Sequence, residues 1–184
     1  MRILCFGDSN TYGFDPRGYL SDRYEDRWPE LLVLYTGWEV INEGMNGRLV
    51  PCHLSDWILG KCQSIDCLLV MLGTNNLLQG ASAQETAQQM ESFLTQIIPR
   101  CSSVLLVAPP PMQRGAWVPT DALVTESIRL GDEYGALAQK LHIPFVNTRD
   151  WNVALAFDGV HFTEAGHHTF AAQMERQFQK LFPF

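Results

Sequence analysis

Three short stretches of the chain carry side chains suited to acyl chemistry. Gly7-Asp8-Ser9-Asn10 follows an apolar run over residues 3–6. Leu72-Gly73-Thr74-Asn75-Asn76 ends a second apolar run, and Asp158-Gly159-Val160-His161 stands near the C-terminus. A serine hydroxyl is a poor nucleophile until a base removes its proton, and that base needs a carboxylate on its far nitrogen to orient it. Asp158 and His161 supply base and carboxylate from one tight loop, which Gly159 permits. Acyl transfer also needs donors aimed at the developing oxyanion. The Ser9 N–H, a glycine N–H in the 43–48 loop and the Asn75 side-chain amide offer three. Spacing alone leaves open whether Gly44 or Gly47 gives the second. Singly, each residue has a plainer use: Ser9 as a helix cap, Asn75 as a strand-end residue bonded to its own backbone, His161 as a surface imidazole. The argument rests on their convergence. Asp8 is expected to hold the turn by accepting loop N–H groups.

The elements between these stretches predict how they converge. Apolar or β-rich runs over residues 2–6, 38–42, 67–72, 104–108 and 143–147 alternate with helical patterns. The run at 67–72 is apolar without alternation, as in a strand buried on both faces. A helix opens around Asp26-Arg27-Trp28-Pro29-Glu30, turns Leu31, Leu32 and Tyr35 inward and stops at Gly37. A second is predicted over 51–62, with Leu54, Ile58 and Leu59 at helical spacing. Ser82 and Glu85 form a capping box for a third, which turns Met90, Phe93, Leu94 and Ile97 inward to about residue 98. Thr120 or Asp121 caps a fourth ending near Leu141, and Thr163 caps the last, through Phe170, Met174, Phe178 and Leu181. Residues 10–26 read as a loop, as do 109–119 after Pro109-Pro110-Pro111, and Pro144 places the final strand at an edge. This alternation predicts an α/β fold: a three-layer αβα sandwich on a five-stranded parallel sheet of order 2-1-3-4-5, in one domain over residues 1–184. Ligands of such sheets bind at the carboxyl ends of the strands, where Ser9 would stand.

Totals narrow the function. With 46% hydrophobic and 18% charged residues, the chain is an ordinary globular one. A net charge of -7 argues against a nucleic-acid partner, whose phosphates need a basic face. No apolar run approaches the ~20 residues of a membrane span, no N-terminal leader pattern is present, and a cytoplasmic location is the default expectation. The five cysteines, an odd number without short paired spacing, do not read as a disulfide framework, and Cys5 and Cys67 are expected in the core. Cys52-His53 with Cys62 and Cys67 fits no standard zinc spacing. His53, His142, His167 and His168 read as structural or surface residues, so neither metal nor cofactor is expected.

Taken in order, the blocks resemble the SGNH branch of the GDSL hydrolase family. Gly7-Asp8-Ser9-Asn10 is similar to its first block, with Asn10 where leucine is more usual. Residues 42–47 resemble the second, in which the donor glycine follows the asparagine by five positions, and this favours Gly47 over Gly44. Gly73-Thr74-Asn75-Asn76 resembles the third, with Asn76 where aspartate is common, and residues 158–161 resemble the last. The resemblance implies a metal-free esterase, lipase-like or acetylesterase in activity, on a flavodoxin-like sheet. Ser9, His161 and Asp158 would be catalytic, with Ser9, Gly47 and Asn75 around the oxyanion. The expected partner is a small acyl, aryl or acetylated-carbohydrate ester. Aromatics in loops at the active end, among them Tyr12, Phe14, Tyr19, Tyr24, Trp117 and Trp151, suit an acyl or aryl pocket or a homo-oligomer contact. The expected pocket residues are Asn10, Tyr12, Asn76, Trp117, Trp151 and Val160. Arg48 either orients the donor loop or is solvated, and Asp150 is a rival carboxylate. Two alternatives stay open: acyl transfer to an alcohol or sugar at the same site, and a non-catalytic flavodoxin-like binding module. The second sits poorly with the Tyr-, Asp- and Pro-containing loop standing where a phosphate cradle needs glycines. An α/β-hydrolase turn needs glycine two residues after the serine, where this chain has Thr11.

Overall fold

The computed structural model describes residues 1–18, 22–53 and 56–182. Five strands, β1 (Arg2–Gly7), β2 (Glu39–Gly44), β3 (Cys67–Met71), β4 (Val104–Ala108) and β5 (Phe145–Asn147), form one sheet of order β2-β1-β3-β4-β5. All pairings are parallel. The helices are α1 (Ser9–Tyr12), α2 (Trp28–Thr36), α3 (Asp56–Cys62), α4 (Thr74–Leu78), α5 (Ala83–Ile97), α6 (Asp121–Leu141) and α7 (Glu164–Leu181).

Alternate residues of the strands face two cores. Leu4, Phe6, Leu68, Val70 and Leu106 meet Ile58 of α3, Met90, Phe93, Leu94 and Ile97 of α5, and Leu130, Tyr134 and Leu137 of α6. Ile3, Cys5, Leu69, Met71, Leu105 and Val107 meet Trp28, Leu31 and Leu32 of α2 and Phe170, Met174 and Phe178 of α7. The path from β1 to β2 runs one way across the sheet, and the later path from β2 to β5 runs the other. Crossovers of one hand then place α2 on the face opposite α3, α5 and α6. The reversal leaves β1 between β2 and β3, so the loops after these three strands open at one crevice.

Local chemistry sets the ends. The Ser82 hydroxyl accepts from Glu85 N, and the Glu85 carboxylate accepts from Ser82 N, as the capping box predicted. Thr120 and Thr163 cap α6 and α7, and Gly37 ends α2 in the left-handed region at φ 70°. β5 lies at the sheet edge. His167 is fully buried, its Nδ1 accepting from Trp28 N at 3.3 Å to join α7 to α2. Burial pushes this imidazole down to about 3.

Several local expectations need correction. Residues 10–12, read as the start of a loop, belong with Ser9 to a helical turn, because Asp8 caps it and Gly13 closes it at φ 89°. α4 was not anticipated, since five residues are too few to show a period. β2 runs on to Gly44. α3 begins at Asp56, and Leu54 and Tyr19 lie outside the described residues. Tyr35 is 39% exposed, not turned inward, and its hydroxyl meets His168 Nδ1 at 3.1 Å. Cys62 and Cys101 are disulfide-bonded, with Cα atoms 4.8 Å apart and a sequence separation of 39, which leaves no spacing signature.

One close approach decides where α1 sits. A Cβ on Gly44 would run into the backbone of Thr11 and Tyr12, so the end of β2 and the first helical turn touch main chain to main chain. Gly44→Ala is expected to destabilise the fold by about 1–3 kcal/mol or more, read as a lowered urea midpoint. An unchanged midpoint would show that α1 shifts freely and that the contact fixes nothing.

Candidate active site

Ser9 is the first residue of α1, directly after β1. Asp8 accepts from Asn10 N at 3.0 Å, while Thr11 N and Tyr12 N donate to the Asp8 carbonyl. This sharp turn lifts Ser9 off the strand end, with its N–H in the first turn, where helix geometry provides no internal acceptor.

The 158–161 loop arrives from the other side. Asp158 Oδ1 accepts from Val160 N at 2.9 Å and His161 N at 3.0 Å. Its Oδ2 lies 2.7 Å from His161 Nδ1, and His161 Nε2 lies 2.9 Å from Ser9 Oγ. The carboxylate accepts a hydrogen bond from Nδ1–H, which leaves Nε2 as the acceptor facing the hydroxyl. Burial raises the Asp158 carboxyl, but its three hydrogen bonds from His161 and Val160, together with the His161 charge, outweigh that and hold it below the usual range. The rival Asp150 is exposed. A hydroxyl, an imidazole and a carboxylate in this series can move a proton off the serine.

The segment after β4 braces this loop. Gln113 N, Ala116 N and Trp117 N donate to the carbonyls of Gly159, Phe157 and Asp158, at 2.9, 3.1 and 3.0 Å. Gly115 and Gly159 sit so near the opposing backbone that a Cβ on either would strike it. The rings of Phe14 and Trp117 flank the imidazole, with centroids 4.8 and 5.0 Å from it.

A cavity of about 140 Å³ opens in front of the serine, lined by Ser9, Phe14, Asn46, Gly47, Asn75, Trp117 and His161. Three larger grooves, of about 230, 480 and 650 Å³, are lined by none of these residues. Gly47 reaches the cavity through a left-handed backbone at φ 72°. The other candidate, Gly44, has its N–H committed to Asn42 Oδ1 at 2.9 Å. Asn75 stands in the first turn of α4, and its Nδ2 donates to Arg48 O at 3.1 Å. The half-buried Arg48 guanidinium donates to the carbonyls of Gly7 (3.0 Å) and Glu43 and lies 4.2 Å over the Phe6 ring. It ties the ends of β1 and β2 together, which favours the orienting reading over the solvated one.

Of the expected pocket residues, Trp117 lines the cavity and five do not. Asn10 bonds the backbone on both sides of His161. The Tyr12 hydroxyl meets Asp22 at 2.8 Å, and its ring lies under Arg23. Asn76 accepts from Val50 N and donates to Gln89. Trp151 packs on Phe170, and Val160 is buried in the core. Loop position at the right end of the sheet did not reveal side-chain direction. Phe14 was singled out only as a loop aromatic, and Asn46 was missed, though it stands beside Gly47. Among the described residues, no three His, Cys, Asp or Glu side chains are grouped to hold a metal, and no helix is long and apolar enough to cross a membrane.

Comparison with known proteins places this geometry. The profile of the GDSL-like lipase/acylhydrolase family matches residues 5–169. The chain belongs to that family. It is a carboxylic ester hydrolase of the GDSL type, which sets aside the non-catalytic binding module. A search of curated proteins finds no match. Among solved structures, the aryl esterase of M. smegmatis superposes with a TM-score of 0.83 at 26% identity, covering 98% of this chain and 99% of its own. A carbohydrate acetylesterase family member from Sinorhizobium meliloti superposes at 0.84 with 25% identity over 100% of both chains.

Asp8 gives the GDSL site a distinct pH signature. Burial pushes its carboxyl up to about 6 from 3.8, although the Asn10 N–H and the charges of His161 and Arg48 pull it down. The folded state therefore holds this proton more tightly than the unfolded chain. Ionised Asp8 weakens the fold above pH 6, and the penalty fades as pH falls towards 3.8. Asp8→Asn, which keeps a capping oxygen, is expected to be more stable than the parent at pH 7 by about 1–3 kcal/mol. Denaturant titrations at the two ends of this range should show the advantage shrinking at the acid end. An equal advantage at both ends would mean that Asp8 is not the titrating group.

Proposed function

We propose that this GDSL protein is a serine esterase that works through an acyl-enzyme and takes short acyl groups. The single observation that carries the reading is the unbroken series Asp158 Oδ2–His161 Nδ1 (2.7 Å) and His161 Nε2–Ser9 Oγ (2.9 Å) at the wall of a small cavity. In this reading His161 Nε2 takes the Ser9 proton as Oγ attacks the ester carbonyl. The Ser9 N–H, the Gly47 N–H and Asn75 Nδ2 receive the oxyanion. His161 then gives its proton to the leaving alkoxide, the alcohol departs, and the Ser9 acyl ester remains. Water enters, loses a proton to His161 and releases the acid by the same route.

The cavity volume of about 140 Å³ lies below the ~300–1,000 Å³ of drug-sized ligand pockets, and this supports an acetyl or similarly short acyl group. Trp117, half exposed at 51%, lines the cavity. The alcohol portion would extend past it towards solvent. The aryl esterase and carbohydrate acetylesterase likenesses support aryl and acetylated-sugar esters as the first substrates to assay.

Ser9→Ala is expected to abolish hydrolysis of p-nitrophenyl acetate and of an acetylated sugar while leaving the circular dichroism spectrum unchanged. Asn75→Ala should lower kcat on the order of a hundred-fold. Wild-type turnover surviving in a clean Ser9→Ala preparation would refute the mechanism. Across p-nitrophenyl esters of graded acyl length, the parent should prefer the shortest. Trp117→Ala should move the optimum to longer chains, and an unmoved optimum would remove Trp117 from acyl selection.

A further inference from the structure

Asn10 follows Ser9, yet its side chain does not reach the cavity. It is 5% exposed, and both ends of its amide are engaged 150 residues away. Nδ2 donates to the Val160 carbonyl at 3.1 Å, and Oδ1 accepts from Phe162 N at 2.9 Å. These belong to the two peptide groups that flank His161. Only one orientation of the amide satisfies both, because the carbonyl needs a donor and the N–H needs an acceptor.

We infer that Asn10 is a positioning residue for His161, a role that rests on the serine-esterase reading above. The contacts on His161 divide the work. Asp158 holds ring Nδ1 and the His161 N–H, which sets the rotation of the imidazole. Asn10 holds the flanking peptides, which sets how far the residue stands from Ser9. Ser9 and Asn10 share one capped helical turn, so the contacts close into a ring. It runs from Ser9 Oγ through the imidazole and the His161 backbone to the Asn10 amide and back along the main chain. A leucine at this position has neither donor nor acceptor and would leave the distance to the loop's own stiffness.

The test is a double-mutant cycle on p-nitrophenyl acetate with Asn10→Leu and His161→Ala. Asn10→Leu is expected to lower kcat on the order of ten- to a hundred-fold, since small misplacements of a reacting group have effects of that size. KM should stay within about threefold, because the cavity wall is untouched. In the His161→Ala background the same substitution should change the residual rate by less than about twofold, because its effect travels through the imidazole. Equal losses in both backgrounds would show a merely structural role and overturn the inference. So would a kcat for Asn10→Leu within about twofold of the parent. Should the leucine variant fail to fold, Asn10→Asp enters the same cycle with the same criteria. It keeps the acceptor for Phe162 N and sets an oxygen against the Val160 carbonyl. A fully active Asn10→Leu beside a crippled His161→Ala removes the positioning role and spares the mechanism. A fully active His161→Ala removes both.

Discussion

A hydroxyl and an imidazole 152 residues apart must stay within hydrogen-bonding distance, and much of the architecture answers that demand. Neither partner can be held by its own segment alone, because short loops at the ends of strands move. Ser9 is fixed by the sheet: β1 has neighbours on both sides, its residues 3–7 are buried, and Gly44 lets α1 rest directly on the end of β2. His161 belongs to the long connection between β5 and α7, which has no such support. It gains stiffness from three backbone bonds donated by residues 113, 116 and 117, and from the Asn10 amide. The rigid side of the crevice thus lends its order to the irregular side.

The two buried carboxylates show how finely local donors decide charge. Asp8 and Asp158 are both essentially out of solvent, and burial alone would raise both. Asp158 receives two backbone N–H groups and the imidazole, and stays ionised to low pH. Asp8 receives Asn10 N, and its carboxyl climbs to about 6. In the proposed mechanism Asp158 stabilises an imidazolium, and such a carboxylate needs the first environment. A carboxylate whose task is to cap a turn tolerates the second, and its proton affinity records how little else solvates it.

Features carried by local sequence were legible before the structure. The uninterrupted apolar run of β3 announced a strand buried on both faces, and the sheet order followed from the alternation of elements. Ser82 with Glu85, Thr120 and Thr163 marked helix starts because capping depends on neighbours in the chain. Ser9, Gly47, Asn75 and His161 at the cavity were legible through their blocks, and Phe14 and Trp117 only as loop aromatics. What escaped were relationships with no local cause. α1 and α4 are too short to display a period. The direction of Tyr12, Asn76 and Trp151 is set by Asp22, Gln89 and Phe170, none of which sequence spacing ties to them. The Asn10 amide and the Cys62–Cys101 pair depend on the finished packing in the same way.

That division also bears on where specificity lies within the family. An aryl esterase and a carbohydrate acetylesterase family member share this backbone at TM-scores of 0.83 and 0.84, although only about a quarter of residues match. One framework therefore accompanies an aryl esterase and a carbohydrate acetylesterase family member, and the sheet and its two cores do not choose between them. The surfaces left to choose are the loop side chains around the serine. Here those are Phe14 bridged to Arg23, Asn46 beside Gly47, and Trp117 in the segment braced against the 158–161 loop. Phe14 and Trp117 also touch the imidazole, so two of the cavity walls rest on the His161 ring. Changing either ring therefore changes the surroundings of His161 as well as the shape of the cavity.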